Sequence, residues 1–184
     1  MSEYQIIRFC APTLAGLKTA SLFCCDAPDE AELLGQLRHW NTSLAPKGLQ
    51  MLPLRIWNGR ALIYLYRPKA LARDLACEDA ACLLNGSGYD GTEPSGCLRC
   101  LMDRLQCQKD GFPHEIGLFL GYPPEDVQGF IDHRAMDFKC AGLWKVYGDQ
   151  QRAQALFDRF RRCTQRYCAL WQTGLRLEQL AVAV

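Results

Sequence analysis

Apolar residues in this chain fall into two kinds of run: short β-rich stretches, and longer stripes at spacings of three and four. The clearest of the first kind is LQMLPLRIW-NG-RALIYLY, residues 49–66. Asn58-Gly59 between two β-rich arms predicts a hairpin, because both turn positions need positive φ. Pro53 cannot donate to a ladder, which puts the first arm on a sheet edge. The second arm, Leu62 to Tyr66, is apolar on both faces and reads as a central strand ended by Arg67-Pro68. YQIIRFC, residues 4–10, reads as another strand, after which Pro12 opens a helix to about Phe23. GLWKVYG, residues 142–148, reads as a short last strand.

The stripes predict helices. Asp29, Glu30 and Glu32 crowd the first turn of one, where the macrodipole favours acids, and Leu33, Leu37 and Trp40 give it an apolar face. Helical turns fill 69–84, and a helix spans 97–108. Between them lies NGSGYDGTEPSG, residues 85–96, a polar, glycine-rich loop with the composition of a flexible one. From Asp149 a long helix runs to about Gln172, with Ala153, Leu156, Phe160, Cys163, Tyr167 and Leu170 on one stripe. The pattern predicts an α+β fold in a single domain, 1–184. Its small mixed or antiparallel sheet has about four strands, including the 49–66 hairpin, packed with several helices.

FPHEIGLFLGYPPEDVQGFI, residues 112–131, combines helix breakers with bulky apolar residues. Pro113 reads as the first residue of a helix, with His114 and Glu115 in its first turn and Glu115 placed to accept from free backbone amides. Gly121 stops that helix in the left-handed conformation. Pro123 and Pro124 start the next, with Glu125 and Asp126 in its first turn and Val127, Phe130 and Ile131 on its inner face. This is helix–turn–helix in shape. A DNA-reading helix, however, would not carry acids in the turn that meets phosphates.

The totals narrow the function classes. With 184 residues, 49% hydrophobic and 22% charged, the chain can bury a sizeable core. A net charge of +1 gives no general drive toward nucleic acid or anionic lipid. No apolar run is long enough to span a bilayer, and the N-terminus lacks the pattern of a signal peptide. Eleven cysteines, an odd number, fit reduced thiols in a cytoplasm better than a secreted disulfide framework. The expectation is a cytoplasmic protein with neither nucleic-acid nor membrane partners.

The 112–131 stretch, followed by CAGLWKVYGD at 140–149, resembles the signature of an uncharacterised bacterial family known only as a domain of unknown function. FCAPTLAGLK at 9–18 and LIYLYRP at 62–68 fit the same pattern, and only residues 85–96 fall outside it. The resemblance implies an origin mainly in anaerobic Firmicutes and a link to anaerobic redox or iron physiology. It implies no activity and no cofactor.

Three kinds of chemistry remain open. Cys10, read at a strand-to-helix junction, could be a lowered-pKa nucleophile with His114 as base and Glu115 orienting it. The commoner role for such residues is a small buried hydrophobe for Cys10 and a capping residue for His114. Cys10, His114, Glu115 and Cys140 are acceptable ligands for zinc or iron. CLRC at 97–100, with Cys77 and Cys82 upstream, lacks the double Cys-x-x-Cys spacing of a zinc ribbon, and Cys97, Cys100 and Cys107 match one helix face. Thr13, Lys18, Tyr66, Arg67, Lys145 and Tyr147 could together hold a small phosphate or carboxylate ligand. No GxxxxGK or GxGxxG nucleotide loop is present. A small-ligand binding protein for an anion or a metal is the leading reading. A cysteine-dependent enzyme and a purely structural or partner-binding protein are the alternatives.

Overall fold

Ser2 decides how the chain begins. In the computed structural model, which describes residues 1–107 and 111–184, Ser2 Oγ accepts from the Gln5 amide at 3.2 Å. The Gln5 side chain in turn accepts from the Ser2 amide at 3.0 Å. This capping box starts helix α1 (Glu3–Leu14) where a strand was expected at 4–10. The apolar residues that resemble a strand locally, Ile6, Ile7, Cys10 and Leu14, are spaced for one helix face and are fully buried there. Pro12 lies in the last turn of this helix and does not open a new one. Gly16, at φ +72°, follows, and β1 (Ala20–Asp26) occupies part of the segment expected to be helical.

The next elements follow their local signals. Asp29 caps α2 (Glu30–Leu44) by accepting from the amides of Ala31 and Glu32. A 3-10 turn, Ala45–Lys47, leads to the hairpin of β2 (Gln50–Trp57) and β3 (Arg60–Tyr66). Asn58 and Gly59 have φ of +46° and +72° at its turn. The sheet is antiparallel in the order β1-β3-β2, so β3 is central and the proline-bearing β2 is an edge, as its residues predict. The register slips between Pro53 and Arg55, which leaves Leu54 without a partner in the ladder. Asn41 of α2 closes part of the β2 edge by bonding both the amide and the carbonyl of Met51 at 2.8 Å. Among the described residues this sheet has three strands and a separate two-stranded ribbon holds the last expected strand, while the first expected strand is α1.

The chain divides into two compact units, Met1–Lys69 with Phe160–Val184, and Ala70–Arg159. In the first, α1, the sheet, α2 and α9 (Leu177–Leu180) enclose one core that includes Ile6, Ile7, Leu14, Leu37, Ile63, Leu65 and Leu177. Arg67, at the end of β3, is buried in this unit and holds four backbone carbonyls. Its Nε donates to Thr13 O at 2.8 Å. Its Nη2 donates to Leu14 O at 2.9 Å and Val182 O at 2.8 Å, and its Nη1 donates to Lys47 O at 3.2 Å. Thr13 and Leu14 end α1, so a cation meets the negative end of that helix.

The second unit contains α4 (Glu78–Gly86), α5 (Pro94–Cys107), α6 (Ile116–Phe119), α7 (Pro124–Asp132), and a two-stranded ribbon of β4 (Cys140–Ala141) and β5 (Lys145–Val146). A further helix, α3 (Pro68–Leu75), precedes them, and the long α8 (Gln150–Gln172) contributes its first turns. The loop between α4 and α5 is shorter than expected, and Tyr89 within it is buried. The expected end of α5 at 108 lies outside the described residues. The fold is α+β. Among the described residues, no helix is long and apolar enough to cross a membrane.

Candidate functional site

The corner at 112–124 is built as the sequence indicates, except at its start. Residues 113–115 form a turn, and the helix begins at Ile116. Gly121 has φ +71° and ends the corner. A Cβ on Gly117 would stand 2.7 Å from Val127 Cγ2, so the bare backbone here is what lets α6 lie close to α7.

Among the described residues, Glu115 makes no capping bond to the backbone amides of α6. It is buried and accepts from Tyr89 Oη at 3.0 Å and Arg104 Nη1 at 3.2 Å. Arg104 also lies over the Tyr89 ring, 4.8 Å from its centre, and donates to Ser87 O. Burial, with the Glu115 carboxylate beside it, pushes the Tyr89 phenol above its ordinary range, so it remains a donor. Glu115 is thus a fastener for the 87–89 loop.

Asp126 is the hub of the neighbouring ribbon. It sits in the first turn of α7, as expected, but is buried. Its Oδ1 accepts from the amides of Tyr147 and Gly148 and its Oδ2 from Trp144 Nε1, each at 2.7 Å. These bonds place Trp144 against Tyr122 (centroids 4.6 Å apart, stacked) and against Phe157 (4.5 Å, edge-on). Gly142, in the ribbon turn, leaves room for Phe157, since a Cβ there would come within 2.2 Å of the ring.

Between this ribbon, α6 and α7 lies a cleft of about 390 Å³. Its walls include Ile116, Tyr122, Val127, Phe130, Leu143 and Trp144, with Phe112 at the side. Phe130 and Ile131 lie on the inner face of α7 and are half-buried, and the Phe130 ring forms part of the cleft wall. Burial raises the Tyr122 phenol to about 12. Two polar side chains reach the cleft besides Asp126. His114 meets Phe130 edge-on, with centroids 4.9 Å apart. Lys145 Nζ donates to Ala135 O at 2.6 Å and lies 4.6 Å and 5.9 Å from the ring centres of Phe138 and Phe130.

The residues singled out from the sequence separate into two groups. Cys10, Thr13, Lys18, Tyr66 and Arg67 belong to the first unit; His114, Glu115, Cys140, Lys145 and Tyr147 belong to the second. Cys10 is not at a strand-to-helix junction but inside α1, fully buried, and burial pushes its thiol up, opposite to what a nucleophile needs. Among the described residues, no group of three or more His, Cys, Asp or Glu is placed to hold a metal ion. Cys97 is buried in α5 and bonds to Gly91 O, consistent with packing on a helix face. Thr13 Oγ1 is bonded to Ser21 Oγ at 2.9 Å, Tyr66 Oη donates to Gln50 at 2.7 Å, and Arg67 is spent on four carbonyls. Tyr147 Oη donates to Met136 O at 2.9 Å. Of the six residues of the anion set, Lys145 alone lines the cleft. Much of the cleft wall comes from the 112–131 stretch that the sequence singled out, but its residues read there as packing and capping, and nothing local announced that Trp144 would face them.

Lys18 carries a pH-dependent prediction. Burial lowers its ammonium from an ordinary value of 10.5 to about 8, with the Cys10 thiol acting weakly the other way. Below pH 8 the folded chain bears the full cost of a charged Lys18. Between about 8 and 10.5 the unfolded chain binds more protons, so that cost fades as pH rises. Lys18→Met should therefore stabilise the protein by about 1–3 kcal/mol at pH 7. Urea titrations at pH 7 and pH 10.5 should show the gain at the first and its disappearance at the second. A constant difference would refute the burial account.

No curated protein and no solved structure matches the chain. A family model does match, over residues 6–181, and it shows that the chain belongs to DUF3793, a family of proteins of unknown function.

Proposed function

We propose that this protein binds a small, largely apolar ligand bearing an anionic group, in the cleft of the second unit. One observation carries this reading: Lys145 is a half-buried ammonium at an aromatic cleft with no carboxylate at ion-pair distance among the described residues. One of its three donors goes to Ala135 O. A cation kept among rings and without a counter-ion favours any anion that brings its own apolar body, because the pair then forms in a partly desolvated site. The cleft volume falls within the range of small-molecule pockets.

Two dyes of similar shape test the proposal, anionic 8-anilinonaphthalene-1-sulfonate and neutral N-phenyl-1-naphthylamine. Lys145→Met should weaken binding of the anionic dye by about tenfold, the loss of roughly one exposed-to-half-buried charge contact, and leave the neutral dye nearly unchanged. Circular dichroism confirms that the variant is folded. Absence of binding by the wild-type protein, or anionic-dye binding indifferent to Lys145→Met, would overturn the reading.

A further inference from the structure

Resting on that reading of the cleft, we infer that the ligand is an apolar monocarboxylate, an acyl or aryl chain ending in one carboxylate, and not a phosphate or nucleotide. The charge count comes first. Among the described residues Lys145 is the one Lys or Arg lining the cleft, and Asp126 on the same wall is already a carboxylate held by three donors. One negative charge is matched by Lys145. A second would stay unpaired in apolar surroundings and face Asp126, which disfavours it.

Donor geometry points the same way. Phosphates are commonly held by the free amides of a helix start or by the fork of an arginine. The long helix bordering the cleft, α7, begins at Pro123-Pro124, and proline has no N–H. Of the next amides, those of Asp126 and Val127 are bonded to Pro123 O, and Glu125, which carries the other, is a carboxylate residue outside the cleft lining. Arg67, the arginine a phosphate reading would use, is committed to four carbonyls.

A carboxylate, by contrast, has two oxygens and needs few donors. Lys145 and His114 both stand against the Phe130 ring, with Nζ 5.9 Å and the imidazole centre 4.9 Å from its centroid. The His114 side chain has no hydrogen-bond partner among the described residues. An ammonium and an imidazole on one ring give a carboxylate head two polar neighbours. Ile116, Val127, Tyr122 and Trp144 give its body apolar walls. The volume holds roughly a dozen heavy atoms at the ~30 Å³ a water-sized unit occupies in a liquid.

Displacement of the anionic dye by decanoate, decanol and decyl phosphate at pH 7.5 tests the inference. Decanoate should displace it at concentrations at least about tenfold lower than either of the others, and Lys145→Met should abolish its advantage over decanol. His114→Ala should weaken decanoate more than decanol. Decyl phosphate displacing as well as decanoate, or decanol doing so, would overturn the inference while leaving the cleft a ligand site. A dye that binds independently of Lys145 would instead remove the ligand site itself, and this inference with it.

Discussion

Arg67→Met should lower stability by about 3–5 kcal/mol, enough to leave much of a marginally stable protein unfolded. The guanidinium is buried and donates to Thr13, Leu14, Lys47 and Val182, carbonyls drawn from three separate stretches of chain. Methionine fills a similar volume without any donor. Two terms then oppose each other. The variant no longer has to desolvate a cation, which burial already disfavours, as the lowered pKa of Arg67 indicates. Against that, Lys47 O and Val182 O lose their donor, each costing about 1–3 kcal/mol if left unsatisfied, while Thr13 O and Leu14 O each lose one of two donors and keep the amides of Gly16 and Val182. Two orphaned carbonyls and two weakened ones together outweigh one relieved desolvation, and the cation's favourable place at the end of α1 goes as well. Arg67→Lys keeps the charge but has one nitrogen to span what three nitrogens span now, so it should fall between the wild type and Arg67→Met. Urea denaturation followed by circular dichroism gives the numbers. A loss below about 1 kcal/mol for Arg67→Met would mean that water replaces the guanidinium and that the residue is no fastener.

The contrast between Arg67 and Lys145 marks how far the sequence could be read. Both are cations at strand ends with a tyrosine near them in sequence, and both fitted an anion site. What separates them is whether carbonyls or aromatic rings surround the charge, and that is set by residues 20 to 115 positions away for Arg67 and by a loop and a helix for Lys145. Local signals were legible where one residue type has a conformational preference that nothing overrides. Asn58-Gly59 made the hairpin, Asp29 capped α2, and Gly121 closed the corner. Residues 4–23 were misread because Ile6, Ile7 and Phe9 have strand propensity, while the Ser2–Gln5 capping box and a helical spacing of buried positions decided for helix. The division into two units depends on residues 160–184 joining residues 1–69, a long-range choice without a local marker. Likewise nothing at Asp126 announces that its oxygens are taken by residues 18 to 22 positions later.

That hub carries the second large effect. Asp126→Ala should cost about 3–5 kcal/mol, and unlike Arg67→Met it should also abolish dye binding in whatever fraction stays folded. The carboxylate accepts three bonds of 2.7 Å, two from consecutive backbone amides and one from an indole. Charge-assisted bonds of this length are roughly twice as strong as neutral ones, and their loss leaves the Tyr147 and Gly148 amides without an acceptor. The ribbon would lose its tie to α7, and Trp144, stacked on Tyr122 and edge-on to Phe157, would no longer be held as a cleft wall. Asp126→Asn discriminates between charge and geometry. Its amide oxygen can still accept from both backbone amides, but its NH₂ then confronts the donor Nε1 of Trp144. Asn should therefore cost less than Ala, about 1–3 kcal/mol, with the change concentrated at Trp144. Melting curves give the stability order, and indole fluorescence in a chain where Trp40, Trp57 and Trp171 are replaced by Phe reports on Trp144 alone. If Asp126→Ala melts like the wild type and still binds the anionic dye, the ribbon is held by ring packing alone and Asp126 is dispensable to the cleft.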